Sequence, residues 1–202
     1  GTLNYIQNLA VNQMDVSVGR AVYTPLLNKQ AGMKSDLTIV RMGENQFRII
    51  TGVADGPRDK KWFTQHLPED GSVQLIDQTT EICTIGVWGP RARDIIQSLT
   101  DADMSHKQFK FGWARDINLG DIKVWAFRIS YVGDLGWEIY IPMKHGQTVW
   151  DLIAEAGKLN GIVPAGIGVY GTTGRLEKGY RLFGAELEGE YSPIEAGLLR
   201  TK

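Results

Sequence analysis

Three stretches hold polar side chains where folding alone would not select them. In RISYVGDLGWEIYIP (residues 128–142), Glu138 stands between Trp137 and Ile139 in an otherwise apolar run. Two such runs flank a glycine turn, which reads as a β-hairpin with Tyr131 and Glu138 on its two arms. Side chains alternate along a strand, so Glu138 shares a face with Tyr140, and Trp137 shares the other with Ile139. Such a carboxylate either faces water or meets aligned donors, because burying it unpaired costs several kcal/mol. In AVYTPLLNKQAGMKSDLTI (residues 21–39), Tyr23 and Asp36 bracket a turn and Asp36 opens a β-run. By residue type alone Asp36 reads as a turn aspartate capping backbone amides. In RLEKGYRLFGAELEGEYSPIEAGL, the residues Arg175, Glu177, Lys178 and Arg181 read as a solvated helix face with i,i+3 pairs.

The elements that would position these groups alternate between hairpins and helices. Asp36 to Gly52 holds two β-rich runs around GEN, a hairpin signal. Arg58 to Leu67 has Trp62, Phe63 and Leu67 at helical spacing. Ser72 to Gly89 reads as strands, and GPRARDIIQSLT as a helix opening at Gly-Pro. The segment 121–142 alternates like paired antiparallel strands, and HGQTVWDLIAEAGKL has Val149, Leu152, Ile153 and Ala156 on one helix side. This pattern predicts an α+β fold with mostly antiparallel sheets and crossing helices. The strand–helix segment 81–100 and the hairpin–helix segment 121–158 are expected to pack as two halves.

Composition narrows the function classes. With 202 residues, 43 % hydrophobic and 22 % charged, the chain can bury a proper core. A formal net charge of -1 gives no general attraction to nucleic acid or anionic membrane, and neither is expected as a partner. No apolar run reaches the ~18 residues of a membrane span. The single cysteine, Cys83, reads as a small core residue and points to a reducing compartment, the cytoplasm or a mitochondrial matrix. His66, His106 and His145 lack metal-ligand spacing, and no metal site is expected. GTTGRLEKG lacks the Gly-Lys-Ser/Thr ending of a P-loop. LNYIQNLA reads as a helix end without a preamble, and IEAGLLRTK stops as an apolar stretch begins. The chain is therefore expected to be a piece of a longer protein.

The 128–142 stretch resembles the hallmark hairpin of the glycine cleavage T-protein (aminomethyltransferase) superfamily. AVYTPLLNKQAGMKSDLTIV, GVWGPRAR and RLEKGYRLFGAEL agree with the same family in order and spacing, so the match covers nearly the whole chain. KSDLTI and RLEKGY look most like the folate domains of dimethylglycine and sarcosine dehydrogenases. The resemblance implies a T-protein-like folate-binding region over residues 1–202, with the family's N-terminal segment and C-terminal β-barrel absent. It implies tetrahydrofolate as cofactor, and folate-dependent aminomethyl or methylene transfer as activity. The donor would be an aminomethyl-lipoyl carrier protein or a linked flavin amine dehydrogenase domain. A non-catalytic folate-binding or regulatory module, or methyl transfer to folate, stands as the alternative on the same fold.

The resemblance also assigns residues. Glu138 would hold the pteridine, whose ring N–H and exocyclic amine present two parallel donors that a carboxylate accepts at once. Asp36 matches the family's essential aspartate and would give electrostatic and acid/base support to the incoming one-carbon group. Tyr23, Tyr131 and Tyr180 match pocket tyrosines. Three departures stand out. Ser35 replaces the aspartate that usually precedes Asp36, and Val40 replaces a family tyrosine. In GIGVYGTTGRLE, Tyr170 and Gly171 stand where the T-protein form has an arginine gripping the folate glutamyl tail. This loop also reads as one residue longer, so the resemblance leaves the tail contact open.

Overall fold

The structure, a computed structural model, describes residues 1–198. The chain divides into two compact units, one made of Gly1–Ile76 with the residues from Arg181 onward, the other of Asp77–Tyr180.

In the first unit a three-stranded antiparallel sheet joins β1 (Ala21–Leu27), β2 (Met33–Gly43) and β3 (Gln46–Ile50) in that spatial order. Pro25 lies on the edge strand β1, where a missing N–H is tolerated. In the first half of β2, Met33, Ser35, Leu37 and Ile39 are buried, whereas Lys34, Asp36 and Thr38 on the other face are only partly so. Helices α1 (Thr2–Leu9) and α2 (Gly56–Gln65) complete the unit. Its core joins Tyr5 and Ile6 of α1, Leu26, Leu37 and Ile39 of the sheet, and Phe63 of α2. The Tyr5 hydroxyl donates to the Phe63 carbonyl at 2.6 Å, and burial pushes its pKa up to about 12.

The second unit is built on a four-stranded antiparallel sheet in the order β4 (Ile82–Trp88), β7 (Gly136–Pro142), β6 (Ile122–Phe127), β5 (Ala114–Leu119). A two-residue Gly120-Asp121 turn joins β5 to β6, with Gly120 at φ +55°. Trp137, Ile139 and Ile141 of β7 belong to the core formed with α3 (Ala92–Gln97) and α4 (Gly146–Gly157). The two expected halves do join, since β4 pairs with β7 and α3 packs on α4. A π-helical turn (Val169–Gly174) leads into the short α5 (Arg175–Lys178), which ends at Gly179 with φ +74°.

The α+β reading holds, and several local expectations change. Residues 72–79 form no strand. Asp70 and Asp77 accept backbone hydrogen bonds from Ser72 and Thr79 at 2.9 Å, turn geometry that leaves the backbone without a sheet partner. Helix α3 starts at Ala92, because Gly89 to Ala92 closes a turn (Ala92 N to Gly89 O, 3.1 Å) around Pro90. Asp36 lies within β2 opposite Pro25, not at a turn. Tyr131 is on neither arm of its hairpin, since residues 128–135 form the connection between β6 and β7. Arg175 is buried, not solvated.

Candidate functional site

The sheet of the first unit brings Tyr23 and Asp36 together. Tyr23 pairs with Thr38, and Asp36 is two residues earlier on the same face of β2. The Tyr23 hydroxyl therefore reaches Asp36 Oδ2 and donates to it at 2.9 Å. Burial pushes the Asp36 carboxyl above its usual range. The Tyr23 hydrogen bond opposes that rise, and the negative charges of Asp55 and Asp59 add to it.

The neighbouring Ser35 points the other way, into the unit. Its hydroxyl donates at 2.8 Å to Asp59 on α2, a carboxylate that also accepts from Thr51. Arg58 closes the network, with Nη2 3.2 Å from Asp59 Oδ1 and Nη1 2.9 Å from Asp55 Oδ1. Its guanidinium lies over Phe183 at 4.4 Å. Asp59 is only 2 % exposed, so these donors are what permit its charge inside the unit. This network fixes the register of β2, and with it the side to which Asp36 points.

In the second unit Glu138 occupies the centre of β7, opposite Gly86 of β4 and Phe127 of β6. The face it shares is aromatic, because Trp125, Phe127 and Tyr140 alternate onto it. The Tyr140 hydroxyl donates to Glu138 Oε2 at 2.6 Å. Oε1 receives no donor and no cation pairs with the carboxylate among the described residues. Burial, opposed by the Tyr140 hydrogen bond, pushes the Glu138 carboxyl above its usual range. A partly buried acid with one spare oxygen on an aromatic face suits a flat ring that donates through its edge.

Tyr131 and Tyr180 also meet. Their rings stack at 5.8 Å and 13°, and Tyr170 lies 5.0 Å from Tyr131. The π-helical turn at Val169–Gly174 falls within the GIGVYGTTGRLE loop. Arg175 steadies it, donating from Nε to the Gly171 carbonyl at 2.8 Å and from Nη1 to the Tyr180 carbonyl at 3.2 Å. Asp36 and Tyr23 thus belong to one unit, and Glu138, Tyr131 and Tyr180 to the other.

Sequence reasoning missed Asp59, Thr51 and Arg58 as supports of β2, and Trp88, whose ring lies over Gly86, the ladder partner of Glu138. For the first three no local signal exists, because α2 meets Ser35 only in three dimensions. For Trp88 the signal was Gly86, a strand glycine two residues before a tryptophan.

The two units together hold two tyrosine-backed carboxylates, each with an elevated proton affinity, on antiparallel sheets of an α+β fold. The family model for the GCVT N-terminal domain matches residues 1–201, and the chain belongs to that family, the glycine cleavage T-proteins. It is 33 % identical over 199 residues to the aminomethyltransferase of Geobacillus thermodenitrificans (strain NG80-2), covering 98 % of this chain and 53 % of that protein. It is 35 % identical over 183 residues to the mitochondrial dimethylglycine dehydrogenase of Mus musculus, covering 90 % of this chain and 21 % of that protein. Among solved structures, the glycine cleavage system aminomethyltransferase T from Bartonella henselae superposes with a TM-score of 0.77 at 18 % identity, over 95 % of this chain and 50 % of that one. The heterotetrameric sarcosine oxidase from Corynebacterium sp. U-96 gives 0.62 at 15 % identity, over 82 % and 78 %. The chain spans about half the length of the aminomethyltransferases it matches. Among the described residues no helix is long and apolar enough to cross a membrane.

Proposed function

We propose that this chain binds tetrahydrofolate and supports transfer of an aminomethyl or methylene unit to it, as the folate-binding region of a longer protein. The observation that carries the reading is Glu138, a carboxylate with a raised pKa, a spare oxygen and no cation partner among the described residues, on an aromatic sheet face. In this reading Glu138 accepts the paired donors of the pteridine edge, and Tyr140 fixes the rotamer in which it does so. Bound tetrahydrofolate would supply the nitrogen that accepts the one-carbon unit. Asp36 would hold or release a proton at its carboxyl, with the Tyr23 hydroxyl orienting Oδ2 and opposing the rise that burial imposes on its pKa. Tyr131 and Tyr180 would line the ligand. The donor would be an aminomethyl-lipoyl carrier protein or an imine released by a linked flavin amine dehydrogenase domain, the latter favoured by the dimethylglycine dehydrogenase match. A mitochondrial matrix or cytoplasmic setting suits either donor.

Asp36→Asn tests the catalytic half of the reading. One-carbon transfer to tetrahydrofolate should fall by about 100-fold or more, the usual worth of a positioned acid/base group, while folate affinity changes little. Unchanged transfer in Asp36→Asn would refute the catalytic role of Asp36, and a parent protein that binds tetrahydrofolate without transferring a one-carbon unit to it would be a binding module.

A further inference from the structure

The second unit carries an aromatic group that the assigned roles leave unused. The indole of Trp88 lies in the space where a side chain at position 86 would be. A Cβ on Gly86 would stand 2.1 Å from the ring, and one on Gly136 would stand 2.4 Å from it. Position 86 is therefore closed to any other residue unless the indole moves, and position 136 is closed as well by the Val87 carbonyl oxygen, 2.3 Å from such a Cβ. The Trp88 ring N–H donates to the Ile129 carbonyl at 3.3 Å, which ties the ring to the β6–β7 connection.

Gly86 is the residue directly across the ladder from Glu138. Cross-strand neighbours hold their side chains about 5 Å apart. Filling the Gly86 space thus sets the indole beside the Glu138 carboxylate. From Trp88 the aromatic contacts run on, with Tyr170 at 5.4 Å and then Tyr131 at 5.0 Å from Tyr170. Tyr170 is delivered by the π-helical turn, which presses on the β6–β7 connection where a Cβ on Gly174 would lie 2.8 Å from Val132. The arc is thus built from three separate segments and held by close approaches at Gly86, Gly136 and Gly174.

We infer that Trp88 and Tyr170 form a stacking subsite, next to Glu138, for the aromatic ring that follows the pterin in a folate. The inference rests on the folate reading above and deepens it. A ligand whose pterin edge is fixed at Glu138 extends its next ring along the neighbouring wall, and here that wall is an indole and a phenol. Neither group carries a formal charge, so this part of the ligand is selected by its π-face and not by its carboxylates. Ligands that share the pterin and lack the benzoyl ring lose this contribution.

The test compares tetrahydrofolate with 6-methyltetrahydropterin, which lacks the tail, on the intact protein and on Tyr170→Leu and Trp88→Phe. Aromatic pairing predicts that Tyr170→Leu weakens tetrahydrofolate by about 2- to 10-fold and leaves the pterin unchanged, so the ratio of the two affinities narrows. Trp88→Phe, which keeps an aromatic ring and protects the fold, shifts the ratio the same way by less. Equal weakening of both ligands, or no change in either, overturns the inference. Tetrahydrofolate binding that is lost in Glu138→Ala but unaltered in Tyr170→Leu and Trp88→Phe overturns the inference alone. An intact protein that binds neither ligand overturns the folate reading and the inference with it.

Discussion

Replacing Glu138 by Gln keeps the shape and the hydrogen bond from Tyr140 and removes the charge. In the ligand-free protein the ionised carboxylate has lost part of its water, no cation among the described residues pairs with it, and this desolvation raises its pKa against the opposing Tyr140 hydrogen bond. The sign follows from linkage. A carboxyl whose pKa is higher folded than unfolded binds its proton more tightly in the native state. Its contribution to stability is therefore greatest below the unfolded value of 4.5, and declines as pH rises from there to the folded value. Each unit of elevation removes about 1.4 kcal/mol at neutral pH. A glutamine does not titrate and escapes that loss. Glu138→Gln should thus be more stable than the parent at pH 7.5, by about 2–4 °C in Tm for each kcal/mol in a chain of this size. The gap should close as pH falls below 4.5. Thermal melts of both proteins from pH 4 to pH 8, without ligand, measure it. A variant less stable than the parent at pH 7.5, or a difference that ignores pH, would refute the argument that Glu138 is held at a desolvation cost.

Tyr23→Phe removes the hydrogen bond that opposes the rise in the Asp36 pKa. The inflection assigned to Asp36 in a carboxyl NMR titration should move to higher pH, and a downward move would show that Tyr23 does not stabilise the ionised form. Gly86→Ala drives a methyl into the Trp88 indole, where 2.1 Å is available. Overpacking of that kind costs about 1–3 kcal/mol in urea denaturation, and the tryptophan emission should shift as the ring is displaced. A neutral substitution would mean that the indole does not rest on Gly86.

The sequence made the carboxylates visible because they interrupt patterns. Glu138 stands in an apolar run, and its face-sharing with Tyr140 follows from strand alternation alone, which the 2.6 Å hydrogen bond then realises. The T-protein resemblance names Tyr23 and Asp36 separately as site residues, local physics points to a turn aspartate, and the hydrogen bond between them follows only from the β1–β2 register. The turn reading failed because β2 extends three residues ahead of Asp36 and is paired along that length. Tyr131 was placed on a strand because its surroundings alternate, yet Gly133 has a φ of +87°, which bends the chain out of the ladder. The buried Asp59 left no trace in sequence, since Ser35 on β2 is 24 residues away and the Thr51 hydroxyl meets it only once α2 has packed. Trp88 was hidden for the opposite reason. The Gly86-x-Trp88 spacing marks a close approach on the strand, and only the structure shows that the approaching group is the indole itself.

The most direct test of the central claim is calorimetric titration of tetrahydrofolate into this protein and into Glu138→Ala. A carboxylate that accepts two donors from the ligand contributes about 1.5–3 kcal/mol for each charged hydrogen bond, so the variant should bind at least tenfold more weakly. Saturable binding by the parent that falls by that factor or more in the variant is the predicted result. Equal affinity in both proteins, or no binding by the parent, would contradict the placement of the pterin on Glu138.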